Sequence, residues 1–296
     1  MQLFYGPGRQ PNYFEGWYFK QQKDGAVVAL IPAFHRDGGR DWASLQVIAP
    51  GYSAFIPYPA TAFAVDEQHG QIHLGQNRLG PGGANIYCRA AGVPVLGRLR
   101  YGPLTPPGYD IMGPFTHLPG MQCRHRVISL AHRVEGWLQI GSQRYCFDRG
   151  VGYIEGDRGG AFPQRYVWAQ CLLPGVSIMV SVASVPLGPG QFTGCIASIR
   201  TGGAEYRLAS YLGARPLYVG DDGLLLSQGR WWLAIEHLGG DSQPLLAPQG
   251  GKMARTIREG ACCRARVRFY NGRSLLIDTV TATASFEGCW APSSIS

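Results

Sequence analysis

Lysine is almost missing from this 296-residue chain: Lys20, Lys23 and Lys252 are the only three among 27 basic side chains, so arginine carries the formal net charge of +8. The arginines are scattered, which removes the clustered basic patch that a nucleic-acid partner needs, and no nucleic-acid recognition motif is present. One exception is Arg264-Ala265-Arg266-Val267-Arg268, where a period of two lines three guanidinium groups along one strand face, read as a solvated outer face. Apolar runs of about 18 residues are also missing, so no membrane span is expected. Met1-Gln2-Leu3-Phe4-Tyr5-Gly6-Pro7 has neither the charged n-region nor the apolar stretch of a secretory leader. The eight cysteines include no C-x-x-C pair and are expected to be reduced, small apolar residues of a cytoplasmic protein.

Catalytic signatures are scarce as well. There is no G-x-S-x-G elbow, no G-x-G-x-x-G after a strand and no complete phosphate loop. His69 and His73 have i, i+4 spacing, but Gly70 and the surrounding strand pattern oppose the helix that would align both rings on a metal. His125 and His132, seven apart, read by default as structural histidines. No metal and no cofactor is implied.

What is abundant is glycine (42) and proline (21), together with aromatic and β-branched residues in short stretches. This is the composition of an all-β chain cut into many strands. Hairpin turns are expected at Lys23-Asp24-Gly25, Asp37-Gly38-Gly39, Asp221-Asp222-Gly223 and Asn271-Gly272. Gly102-Pro103-Leu104-Thr105-Pro106-Pro107-Gly108 cannot be regular structure and opens a long crossing region. So many strands leave fewer exposed edges in barrels than in one open sheet.

The stretch Tyr13-Phe14-Glu15-Gly16-Trp17-Tyr18-Phe19-Lys20 sets one carboxylate among five aromatic residues. As a strand it places Tyr13, Glu15, Trp17 and Phe19 on one face and Phe14, Gly16, Tyr18 and Lys20 on the other. With Lys20 expected in water, the Glu15 face is the inner one. An acid there is either kept protonated by burial, as a proton donor, or tied to an arginine as a structural pair. Gly152-Tyr153-Ile154-Glu155-Gly156-Asp157 repeats the theme near mid-chain, which favours two tandem barrels, residues 1–147 and 148–296.

Phe14-Glu15-Gly16-Trp17-Tyr18-Phe19-Lys20 resembles the opening signature of the tocopherol cyclase family. Gly152-Tyr153-Ile154-Glu155, Gly160-Ala161-Phe162-Pro163 and Trp168-Ala169-Gln170 are similar to its second block, and His125 follows Met121-Gln122-Cys123 as a family histidine follows Met-Glu-Cys. Tyr206–Tyr211 and Met253–Glu259 fall in family order, so the resemblance runs nearly end to end. The chain departs from the pattern where Glu155-Gly156-Asp157-Arg158-Gly159 replaces Glu-Lys-Asp-Trp-Gly, and where Gln122 replaces a glutamate.

The resemblance implies two lipocalin-like barrels side by side and redox-neutral, cofactor-independent closure of a prenylated quinol, or hydration of a related double bond. Such chemistry needs an acid to protonate an alkene, aromatic faces beside the cation, and a base for the attacking oxygen. Glu15, Glu155, Asp157 and His125 are the candidate catalytic residues. Trp17, Phe19, Tyr153, Trp168 and Gln170 are the candidate substrate-binding ones. The expected partner is a hydrophobic isoprenoid-type molecule, and the reading includes peripheral contact with a membrane to collect it. The alternative is a carrier that binds such a molecule without changing it.

Overall fold

Turn chemistry sets the strand boundaries. In this computed structural model, which describes residues 2–118, 120–187 and 190–290, Asp24 and Gly25 both take positive φ (49° and 82°), the geometry that reverses a tight hairpin. All four sequence-expected turns connect consecutive strands. They join β1 (Tyr13–Lys23) to β2 (Ala26–Asp37), β2 to β3 (Arg40–Ala49), and two pairs in the second half of the chain.

After β3 come β4 (Tyr52–Pro59), β5 (Phe63–Asp66), β6 (Gln71–Leu74), β7 (Asn77–Gly80), β8 (Gly83–Ala90) and β9 (Val93–Tyr101). A crossing segment, residues 102–118 and 120–122, with one short 3-10 helix at Gly113–His117, leads to β10 (Cys123–Ile140), β11 (Gln143–Cys146) and β12 (Gly150–Gly159). The rest of the chain forms β13 (Tyr166–Leu173), β14 (Val176–Leu187), β15 (Gly190–Thr201), β16 (Ala204–Ala209), β17 (Arg215–Gly220), β18 (Gly223–Gln228), β19 (Trp231–Gln249), β20 (Lys252–Asn271) and β21 (Ser274–Gly288).

Two antiparallel sheets result. The first has twelve strands in the order β4-β3-β2-β1-β12-β10-β9-β8-β7-β6-β5, with β11 paired to β10; the second has nine, β16-β15-β14-β13-β21-β20-β19-β18-β17. Neither path returns to its first strand, so these are two lipocalin-like half-barrels rather than closed barrels. Each curls around its own apolar interior, the first centred on Trp17, Phe19, Leu45 and Leu99 and the second on Val180, Leu226, Phe269 and Trp290. A third cluster, including Tyr18, Tyr153, Trp168, Met179 and Ile257, fills the space between the sheets. Among the described residues, no helix is long and apolar enough to cross a membrane.

Two expectations are corrected. Lys20 is fully buried, not in water: β1 is covered on both faces, and the Lys20 face looks toward the second sheet. There its ammonium donates to Gln170 Oε1 (2.9 Å) and to the Thr283 carbonyl (2.8 Å), and burial pulls its pKa down to about 8. The strand 150–159 belongs to the first sheet, between β1 and β10, so the sheets divide between residues 159 and 166 instead of at 147/148. The rhyme that placed it in the second half comes from pairing: β12 lies directly against β1, with Tyr18 opposite Glu155 and Gly16 opposite Asp157.

Candidate active site

Strand parity decides which side chains meet between the sheets. In the β1–β12 register, Gly16, Tyr18, Glu155 and Asp157 face the second sheet, while Glu15, Phe19, Ile154 and Arg158 take the opposite side. The inter-sheet face opens into a cavity of about 180 Å³, walled by Phe14, Tyr18, Tyr166, Trp168, Ile196 and Ile257. The crossing segment adds Met112, Phe115 and Met121 to its lining. This segment is clasped to the second sheet: Arg207 donates to the carbonyls of Tyr109 (3.2 Å) and Asp110 (3.1 Å), and Tyr211 donates to that of Ile111 (3.1 Å).

Into this apolar enclosure project His125 from β10 and Glu155 and Asp157 from β12. His125 Nδ1 lies 2.9 Å from Asp157 Oδ1, and its Nε2 lies 3.2 Å from Glu155 Oε2, there without hydrogen-bonding alignment. Burial opposes the charged ring, but the Glu155 and Asp157 carboxylates outweigh it and hold the His125 pKa well above the ordinary histidine value. The arrangement favours the protonated ring, with a carboxyl group beside each of its nitrogens. Behind it, Tyr153 (2.5 Å) and Trp168 (3.3 Å) donate to Glu155 Oε2, and the Cys123 thiol lies 3.4 Å from Asp157. The three ligand atoms of His125, Glu155 and Asp157 fall within 4.8 Å of one another. The carboxyl groups face different imidazole nitrogens, however, which suits a bridging imidazolium; a metal takes its ligands from one side.

The opposite wall holds two further acids that the sequence reading passed over. Glu259 on β20 and Glu287 on β21 are cross-strand partners, are buried, and both line the cavity. Glu259 accepts a hydrogen bond from Tyr18 (2.6 Å). Burial, with the Glu155 charge adding to it, pushes Glu259 up to about 7 although the Tyr18 bond favours its carboxylate. Burial and then the charges of Asp157 and Glu155 push Glu287 well above the usual carboxyl range. A signal for both was present. Among the described residues the four buried acidic side chains, Glu15, Glu155, Glu259 and Glu287, all sit in Glu-Gly pairs.

The remaining candidates divide by face. Trp168 lines the cavity with its ring; Trp17 borders it from the Glu15 face of β1, its indole packed inside the first half-barrel against Phe63 (6.4 Å) and bare Gly156, where a Cβ would come within 3.3 Å of the ring. Tyr153 stands behind Glu155, and Gln170 is bound to Lys20. Phe19 stacks on Tyr101 inside the first half-barrel (6.4 Å). Glu15 is not in the cavity lining either. Its carboxylate accepts from the backbone N–H groups of Tyr5 (3.0 Å) and Gly6 (3.1 Å) and from the Tyr13 hydroxyl (2.7 Å), and so ties the N-terminal segment to the sheet. Burial raises its pKa against the pull of those bonds.

No family model matches the chain, and no characterised protein matches it by sequence. Solved structures do match. Kievitone hydratase from Nectria haematococca aligns with a TM-score of 0.54 at 11% identity, over 94% of this chain and 89% of that one. CghA aligns with a TM-score of 0.59 at 12% identity, over 95% and 89%. An AttH-type protein from Nitrosomonas europaea aligns with a TM-score of 0.54 at 11% identity, over 94% and 93%. The chain therefore has the tocopherol cyclase-like, double lipocalin-like fold that these structures share, over nearly its whole length.

Proposed function

We propose that this protein adds an oxygen nucleophile across a carbon–carbon double bond of a hydrophobic, isoprenoid-type substrate held between its two sheets, without a cofactor. The observation that carries the reading is the pairing of an aromatic-walled cavity with the His125–Glu155–Asp157 cluster, in which a carboxyl group stands beside each imidazole nitrogen. Protonating an alkene leaves a carbocation that water would quench at random. Ring faces such as those of Trp168 and Tyr166, in a site with little water, stabilise it instead. Carboxylates beside the cation add electrostatic stabilisation that costs no reorganisation, because His125 and Tyr153 already fix them in place.

Ring closure by the substrate's own phenol and hydration by water share these steps and differ only in where the oxygen comes from. The neighbour named as a hydratase supports the second, and the resemblance to the tocopherol cyclase family supports the first. His125, Glu155 and Asp157 hold the nucleophile in this reading, and Tyr166 and Trp168 contact the hydrocarbon. Glu15, sealed behind the opposite face, serves the fold.

The test is incubation of purified protein with a lipid extract of its host, followed by mass and ultraviolet analysis of what is retained. Gain of one water indicates hydration. An unchanged mass with an altered spectrum indicates closure. A ligand recovered unaltered in both respects would make the protein a carrier.

A further inference from the structure

Five residues that line the cavity carry a side-chain polar atom with no hydrogen-bond partner among the described residues: Glu287 Oε1, the Tyr166 hydroxyl, His125 Nε2, His35 Nδ1 and Trp17 Nε1, of which the last lies on the first half-barrel's side of β1. A buried polar atom left unpaired costs about 1–3 kcal/mol, so a group of them around one cavity marks where a ligand completes the pairing. Glu287 differs from every other buried carboxyl group in the chain. Glu15 is saturated by Tyr5, Gly6 and Tyr13; Glu155 is gripped by Tyr153, Trp168 and His125; Glu259 is held by Tyr18. Glu287 alone of these four has no hydrogen-bond or ion-pair partner for its carboxyl group among the described residues, and its Oε1 is buried. Its backbone lies opposite Trp168, whose indole donates to Glu155, so the free acid and the His125–Glu155–Asp157 cluster line the same cavity.

We propose that Glu287 is the proton donor of this site, with Tyr166 beside the same substrate, a role that rests on reading the cavity as one for addition to a double bond. His125 is a poor donor by contrast, since two carboxyl groups hold its proton in place. In the step, the Glu287 O–H bond breaks and its proton forms a C–H bond at the less substituted alkene carbon. The π electron pair supplies that bond and leaves the cation on the other carbon. A lone pair of the nucleophile, water or the substrate's phenol, then forms the C–O bond, and the nucleophile's proton returns to the Glu287 carboxylate. Nothing is oxidised or reduced, and the acid is regenerated. Glu287 carries its proton into the reaction because burial and the facing Asp157 and Glu155 charges disfavour its anion.

The test uses a geranylated hydroquinone as probe and two variants, Glu287→Gln and Glu259→Gln, each checked for ligand affinity by tryptophan fluorescence. Infrared difference spectra at neutral pH should show a neutral-carboxyl band that Glu287→Gln removes. Turnover should fall by about 10²-fold or more in Glu287→Gln at unchanged affinity, and by less than about tenfold in Glu259→Gln. Absence of that band, or Glu287→Gln turning over within about threefold of the parent, overturns the donor role and leaves the addition chemistry standing. If the parent protein binds the probe and changes neither its mass nor its spectrum, the addition chemistry falls and the donor role with it.

Discussion

The two closing strands invite comparison. Each sheet consists of a four-strand meander next to a strand that arrives last in the chain, followed by a long strand: β12 lies between β1 and β10, and β21 between β13 and β20. Each closing strand carries a hydrophobic residue, Glu and Gly in that order, Ile154-Glu155-Gly156 and Phe286-Glu287-Gly288, and each sends its glutamate into the inter-sheet cavity. Equivalent positions have acquired opposite electrostatics. Glu155 faces a cation and two donors, whereas Glu287 faces carboxyl groups and no donor at Oε1. Position in the fold fixes where an acid points; its immediate partners fix what it can do there.

Removing the cation should abolish the difference. His125→Gln leaves the buried Glu155 and the half-buried Asp157 without their counter-charge, and we expect a loss of about 3 kcal/mol in chemical denaturation, the low end of the cost of breaking a buried ion pair from one side. A change below about 1 kcal/mol would show that the cluster carries no net charge to neutralise.

The next effect is on pH dependence. Glu259 has its folded pKa raised from 4.5 to about 7, so its stabilising contribution is complete below pH 4.5 and is lost as pH rises through 7. That loss is on the order of 3 kcal/mol. Thermal unfolding followed from pH 5 to pH 8 should show a decline that Glu259→Gln flattens; a parallel decline in the variant would assign the effect elsewhere.

Smaller still is Tyr153→Phe. It deletes one donor to Glu155 and should cost about 1–2 kcal/mol in denaturation, with the protein still folded. Smallest, in turnover, is Glu15→Gln. On the far side of the β1–β12 pair it should slow the reaction by less than about threefold while loosening the N-terminal segment, seen as faster amide exchange at Tyr5 and Gly6. A hundredfold loss of turnover would place Glu15 in the chemistry after all.

The strands and turns were legible because their signals are local. Asp-Gly and Asn-Gly pairs need only the chain on either side of them to form hairpins, and the alternation in Tyr13–Lys20 correctly put Glu15 and Lys20 on opposite faces. Which face would be inner was not legible. Burial on both sides depends on β12, contributed from more than a hundred residues away, and on a second sheet that gives Lys20 two acceptors. For the same reason the chemistry of Glu155 was readable as an acid near aromatics, whereas its placement opposite Glu287 depends on how the sheets dock. The Arg264, Arg266 and Arg268 stripe lies on an outer strand face as its alternation predicts, Arg266 pairing there with Asp278 and Arg268 with Glu236.

Strand order also governs the sequence of events in folding. Phe14 pairs with Gly159 and Val167 with Gly288, so neither sheet can seat its central strand until the last residues of that half have left the ribosome. Contacts so distant along the chain form slowly, and until they form β1, β10, β13 and β20 each present a bare edge to other molecules. A nascent chain stopped short of β21 would hold its first sheet and its charged cluster but would have an open edge in the second, and it would be prone to aggregate rather than to bind lipid. Because Glu155, Asp157 and Glu287 lie on these late-arriving strands, the reactive groups come together only when each half of the molecule is complete.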